Sequence, residues 1–230
     1  MTQIDNRRLD LSNYLIHFTK GENEEDENGA YQNLKSIIVN QRLFSNNGDI
    51  RGGYNCVCFT EAPIECLKMA NGIVCYNGEK RYSNYGIMIP KIDIYNLGGR
   101  PAIYTDKEDF DILPEKMKHR FVIFEPLKEI RGTDNKCDFT WEREWRMLGD
   151  LDLKTLTNYE IIVPTKSIGE KLKSDAEEET FQLFDDCQNS QVPIIIYDEL
   201  CNDTCEVHQE ECPEPLFIEN DCIICMDGTC

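Results

Sequence analysis

Trp141-Glu142-Arg143-Glu144-Trp145-Arg146-Met147-Leu148-Gly149-Asp150 admits two foldings, and the choice between them decides what kind of protein this is. As a strand, alternation sends Trp141, Arg143 and Trp145 to one side and Glu142, Glu144, Arg146 and Leu148 to the other. Two carboxylates then stand two residues apart on one face. As a helix, Trp141, Trp145 and Leu148 fall at i, i+4 and i+7 with a Glu142–Arg146 pair opposite, an ordinary amphipathic stretch. Periodicity alone fits both.

Around this segment the chain is rich in short β-prone runs: 14–19, 55–60, 85–89, 101–104, 120–124, 159–163 and 192–197. Their length and their branched and aromatic residues mark them as strands. Helical spacing is predicted over 31–38, 64–70 and 107–117, and Ser174 with Glu177 three residues later reads as a capping box. The apolar-free run KGENEEDENG at 20–29 reads as a surface loop, and 44–53 has turn chemistry. Strands first paired by short turns and then joined by helices predict an α+β fold. No fixed-period repeat is present. The composition changes after Tyr197, so the expected division is a domain at 1–200 and an appendage at 201–230.

Two hundred and thirty residues, 40% apolar and 10% aromatic, are enough for a substantial core. No apolar stretch approaches the ~18 residues of a membrane span, so no membrane partner is expected. Arg7 and Arg8 have no apolar block behind them, and the cytoplasm is the expected compartment. The net charge of −19 is an end effect: residues 174–230 hold 16 acids and no Lys or Arg, leaving 27 acids against 24 bases before them. Such a tail is expected to be solvated, or to engage a basic partner. The nearly neutral body offers no basic stripe for duplex binding.

The chain contains no G-x-S-x-G elbow, phosphate loop, G-x-G-x-x-G or H-E-x-x-H. Three histidines, His17, His119 and His208, are too few for a multi-histidine metallohydrolase. Three positive features remain. His17 and Thr19 share one face at the end of a strand. Arg51 lies in a Gly-rich turn before a strand, where a guanidinium can hold a phosphate, and Arg100 between Gly99 and Pro101 is a second candidate of that kind. Glu142 and Glu144 suit chemistry in which one carboxylate stabilises a developing cation while the other positions a nucleophile.

His17-Phe18-Thr19, then Asn33-Leu34 with Ile37-Ile38, Leu43, Ser45, Arg51 ahead of a strand and a Glu-bearing segment some ninety residues on, together resemble the DarT-like ADP-ribosyltransferases. The resemblance is specific over residues 14–65 and reaches 148 by order and spacing, and it favours the strand reading of 141–148. It implies an ADP-ribosyltransferase-like core of two small, mainly antiparallel sheets with flanking helices, clamping NAD as substrate. His17 and Thr19 would bind the nicotinamide side and Arg51 the pyrophosphate. Phe59 or Tyr85 would stack on nicotinamide, and Glu144 would be the catalytic glutamate with Glu142 orienting the acceptor. Segments 56–63 and 98–104 have no counterpart in the DNA-modifying members, which leaves the acceptor open between nucleic acid, single-stranded by preference, and protein.

Cys201, Cys205, His208, Cys212, Cys222 and Cys225 crowd into the last thirty residues and could furnish a structural zinc site, against a tail of free thiols. Two other functions compete with the transferase. One is an inactive nucleotide- or partner-binding module of the same fold. The other is a nuclease holding a metal on Glu61, Glu142 and Glu144.

Overall fold

Leu15, Ile16 and Phe18 are buried within a five-residue strand, and that strand lies in the middle of the main sheet. The computed structural model describes residues 11–23, 26–48, 50–64, 67, 82–129, 136–137, 139–179 and 194–196. The strands in chain order are β1 (Tyr14–Phe18), β2 (Arg42–Leu43), β3 (Cys56–Thr60), β4 (Gly86–Pro90), β5 (Arg100–Pro101), β6 (Ile103–Thr105), β7 (Phe121–Ile123), β8 (Glu125–Glu129), β9 (Lys136–Cys137), β10 (Glu144–Leu148), β11 (Leu151–Asp152), β12 (Glu160–Val163) and β13 (Ile194–Ile196). Helices span Glu27–Asn40, Lys91–Asn96 and Lys166–Glu179, with short 3-10 turns at Lys107–Asp111, Glu115–Arg120, Thr140–Glu142 and Leu153–Thr155.

Where two small sheets were expected, seven of the described strands form one sheet, in the order β13-β12-β4-β1-β3-β10-β5. All its neighbours are antiparallel except β12 and β13. It is nonetheless a sheet in two halves. β1 and β4 pair over five residues and β3 and β10 over five, but β1 and β3 share a single registered pair, Ile16 with Thr60. Beyond that rung the His17 side chain spans the seam, its Nδ1 2.8 Å from the Cys58 carbonyl.

Alternation along the strands divides the core. Leu15, Val57, Phe59, Ile87, Ile89, Trp145, Met147, Ile161 and Val163 pack with Ala30, Tyr31, Leu34, Ile37 and Ile38 of the first helix and Leu172 and Ala176 of the last. On the other side Ile16, Phe18 and Ile162 meet Ala62, Ile64 and Leu67. Each large aliphatic buried this way is worth about 1.5–3 kcal/mol. The first helix starts where Asp26 accepts from the Gly29 N–H at 2.9 Å, and it ends at Gln41 in the left-handed region, φ 51°.

Several expectations change. Ser174 is interior to the helix Lys166–Glu179, not its cap; Thr165 precedes that helix, its Oγ1 accepting from the Ile168 N–H at 3.4 Å. The helix expected over 107–117 is two 3-10 pieces, because Pro114 disfavours helical backbone at Leu113. The run 101–104 splits at Ala102, whose N–H donates to the Glu144 carbonyl at 2.7 Å. Pro101 thereby ends on the edge strand, where a missing donor is tolerated. The Cys-rich segment, with Cys201, Cys205, His208, Cys212, Cys222 and Cys225, and the boundary at 200 lie outside the described residues, as does most of the expected helix 64–70. Among the described residues no helix is long and apolar enough to cross a membrane.

Candidate active site

The segment 141–148 is neither of the two simple readings but a turn feeding a strand. Thr140–Glu142 forms a 3-10 turn, Arg143 takes the left-handed conformation at φ 45°, and β10 starts at Glu144. Both carbonyls of the junction are held from the end of β3 and the residue after it: the Thr60 hydroxyl donates to Glu142 O at 2.6 Å, and the Glu61 N–H to Arg143 O at 3.2 Å. A non-glycine residue at positive φ costs about 1–2 kcal/mol, and such strain concentrates at functional sites. Both Arg143→Val and Arg143→Gly remove the side chain, but only valine keeps a branched Cβ in that region, so Arg143→Val is expected to be less stable than Arg143→Gly by about 1–2 kcal/mol; urea unfolding of the two variants checks this.

Glu144, Arg146 and Leu148 share one face of β10, and their register partners Thr60, Cys58 and Cys56 continue that face on β3. Arg146 grips the Glu144 carboxylate with both ends of its fork, Nε to Oε1 at 2.7 Å and Nη2 to Oε2 at 3.0 Å. Its Nη1 donates to the carbonyls of His119 (3.1 Å) and Phe121 (2.8 Å), so the guanidinium also ties down the segment that covers this face. The pair is almost buried, with side-chain exposures of 13% and 7%. Burial works to lower the Arg146 pKa, but its bond to Glu144 and that residue's charge outweigh this and raise it. The Glu144 N–H donates to the Tyr104 hydroxyl at 2.8 Å, and burial raises the Tyr104 phenol. Burial, then the charge of Glu144, likewise raises the Cys58 thiol, which stays protonated and is no ready nucleophile. Glu142 is buried at 6% exposure, near enough to Tyr104 for its charge to bear on the phenol.

The other sequence-predicted residues are placed as follows. His17 packs edge-on against Phe59, ring centroids 6.0 Å apart, and so lies on the other side of β3 from Glu144. Because the Cys58 carbonyl can only accept, Nδ1 carries the proton and Nε2 is the acceptor. Thr19 is buried, its hydroxyl donating to Ala30 O at 2.8 Å and sharing with Tyr85 O at 3.3 Å. Phe59 and Tyr85 are both core residues. The Arg51 guanidinium lies 4.3 Å over the Phe110 ring and 5.3 Å over Phe121, with Nη1 donating to Lys107 O at 2.6 Å. Arg51 thus braces the same covering segment that Arg146 holds from below.

Glu61 is spoken for within the protein. Its Oε1 accepts from Lys91 Nζ at 2.5 Å and its Oε2 from Trp145 Nε1 at 2.9 Å. Among the described residues no group of three or more His, Cys, Asp or Glu is placed to hold a metal ion, which leaves the nuclease reading without a donor set there. Tyr104, Arg146 and the junction-holding Thr60 were missed from the sequence. The i, i+2 spacing of Glu144 and Arg146 on a strand was the signal for one of them.

Burial lowers the His17 pKa against the opposing pull of the Cys58 carbonyl, with Lys20 adding a smaller push downward. His119 is lowered by burial, then by Arg120 and Arg146. Both rings are therefore neutral in the folded chain near pH 7, while the unfolded chain takes up protons from about 6.5 downward. Their contribution to stability is complete above that pH and is lost as pH falls below it. Urea midpoints should be level from pH 7 to 8 and fall below 6.5, with a shallower fall in a His17→Asn/His119→Asn variant.

No family model matches the chain, and no curated protein matches it. Among solved structures the chain is similar to Thermus sp. 2.9 DarT in complex with NAD+, at a TM-score of 0.42 and 12% sequence identity, covering 81% of this chain and 96% of that one. At that distance the side chains of the site carry the functional reading.

Proposed function

We propose that the protein is an NAD-dependent ADP-ribosyltransferase whose catalytic residue is Glu144. One observation carries the reading: the Glu142-Arg143-Glu144 junction is a strained turn entering a strand, with Glu144 fixed in orientation by Arg146 and the Tyr104 hydroxyl beside it. In this reaction the bond from ribose C1′ to the nicotinamide nitrogen breaks, its electron pair leaving with nicotinamide. Positive charge then develops on the ribose. An ionised carboxylate accepting from the ribose 2′-hydroxyl stabilises that charge better than water does, because it is already oriented. A carboxylate has about four acceptor directions, of which Arg146 uses two. Glu142 is assigned to the incoming acceptor, whose oxygen or nitrogen forms the new bond to C1′ and releases its proton. His17 Nε2 and the unused N–H groups of Arg51 are assigned to the cofactor.

A second reading, a binding module of the same fold without the reaction, is favoured by a specific observation. Both Glu144 oxygens already accept from Arg146, and His17 lies across β3 from them. The two readings part in one experiment: incubation with NAD labelled on the adenylate, in the presence of protein and of single-stranded nucleic-acid mixtures. Nicotinamide release or label transfer that Glu144→Gln removes supports the enzyme. Saturable NAD binding with no release from either protein supports the module.

A further inference from the structure

Glu61 grips the chain on both sides of Glu144. Its N–H donates to the carbonyl of Arg143, the residue before, at 3.2 Å, and its Oε2 accepts from the indole Nε1 of Trp145, the residue after, at 2.9 Å. Because Trp145 alternates with Glu144 and Arg146 along β10, the Glu61 carboxylate meets that strand from its opposite face. Further bonds tie Glu61 to the rest of the protein. Its Oε1 accepts from Lys91 Nζ at 2.5 Å, Lys91 Nζ also donates to Ser12 O at 2.7 Å, and the Glu61 carbonyl accepts from the Ser12 N–H at 3.2 Å. The N–H, the carbonyl and both carboxylate oxygens of Glu61 are thereby engaged. Their partners come from the segment before β1, the first residue of the helix Lys91–Asn96 and the turn into β10.

Stability alone gives no reason for ions at this place. The side chains of Glu61 and Lys91 are 11% and 17% exposed, and apolar residues of the same volume often serve a buried pair's stability as well or better. Apolar contacts, however, fix no direction. A carboxylate between an ammonium and an indole N–H sets distance and angle at once. The Trp145 ring is itself buried in the core that packs against the first and last helices. The strained turn at Arg143 adds a requirement, since a residue at positive φ persists only where its surroundings over-determine it. The residue that holds it must itself be immobile, and Lys91 and Ser12 make Glu61 so.

We propose that Glu61, backed by Lys91, is a positioning residue for Glu144: its bonds to Arg143 and Trp145 set the backbone on either side of the catalytic glutamate and so aim its carboxylate at the ribose. Glu61 touches no substrate and acts through those two neighbours. Arg146 and Tyr104 fix Glu144 from its own face of the strand and from its N–H, and Glu61 fixes it from behind. The catalytic consequence rests on the proposed transferase, whereas the brace itself is a property of the fold.

The test uses the full chain and the variants Glu61→Gln, Trp145→Phe, their combination and Tyr31→Phe. Nicotinamide release, urea midpoints and hydrogen exchange at the Glu144 N–H and the Trp145 indole N–H are measured on each. Glu61→Gln should lower kcat by about 10–10²-fold with KM for NAD unchanged, since a misplacement of about 1 Å costs on the order of 10²-fold in rate. Exchange at the Glu144 N–H should become faster. Trp145→Phe leaves the Glu61–Lys91 pair intact and should lower kcat in the same way, which preserves a readout should Glu61→Gln fold poorly. The two act through one contact, so the combined loss in kcat should be smaller than the product of the single losses. Tyr31→Phe removes the hydroxyl that donates to Asp175 at 2.6 Å between the first and last helices, and should lower the urea midpoint with kcat unchanged. A folded Glu61→Gln protein with wild-type kcat would overturn the proposal. So would multiplicative losses in the combined variant, or a fall in kcat of the same size in Tyr31→Phe, which assigns the effect to stability alone. Exchange is read without turnover: faster exchange in Glu61→Gln, in a chain whose wild type never releases nicotinamide, defeats the transferase and leaves the brace standing.

Discussion

Glu144→Gln is expected to lower nicotinamide release by about 10²–10³-fold, the range seen when one oriented group that stabilises developing charge is removed. The amide keeps the shape of the side chain and one acceptor, but it carries no charge to set against the ribose cation. The loss should therefore appear in kcat more than in KM, since the interaction strengthens as the C–N bond breaks. The substitution is not silent structurally, because half of a buried ion pair goes with it. Unfolding midpoint and NAD affinity are measured on the same preparations. A variant that is folded, binds NAD and still releases nicotinamide at the wild-type rate removes Glu144 from the chemistry.

The largest stability effect is expected at Arg146. Arg146→Met keeps most of the volume and leaves three acceptors behind: the Glu144 carboxylate and the carbonyls of His119 and Phe121. Breaking a buried pair from one side costs about 3–5 kcal/mol, a large part of the 5–15 kcal/mol that typically holds a domain together. Arg146→Lys should recover little, since a single ammonium cannot reproduce the fork. The combination Glu144→Gln/Arg146→Met should cost less than the sum of its parts, with a coupling of about 1–3 kcal/mol in urea unfolding. Additivity would show that the pair contributes nothing as a pair.

The two halves of this site differed in how far the sequence disclosed them. Strands such as Cys56–Thr60 and Glu160–Val163 were legible because branched residues in short runs have few other ways to be buried. Glu142 and Glu144 were legible as a pair, but the left-handed turn at Arg143 was not. It is imposed by Thr60 and Glu61 from the end of a strand more than eighty residues earlier, and no local pattern carries that information. The same holds for Tyr104, whose hydroxyl meets the Glu144 N–H from forty residues away. Ser174 misled for the opposite reason. Its spacing to Glu177 satisfies a capping box, yet the helix had already been started by Thr165, and a local signal loses to an established hydrogen-bond ladder.

The strand order has a consequence in time as well as in space. Ile16 pairs with Met88 and Phe59 with Trp145, so the two main ladders join residues roughly 70 to 90 positions apart. The order in which the chain is synthesised offers no early hairpin among them. Each ladder must close a long loop before any pairing offsets the entropy, which places refolding in the slow range of milliseconds to seconds typical of non-local topologies. β1 leaves the ribosome well before its neighbours β3 and β4 are both made. For that interval a short apolar strand with two unpaired edges is the segment most in need of a chaperone.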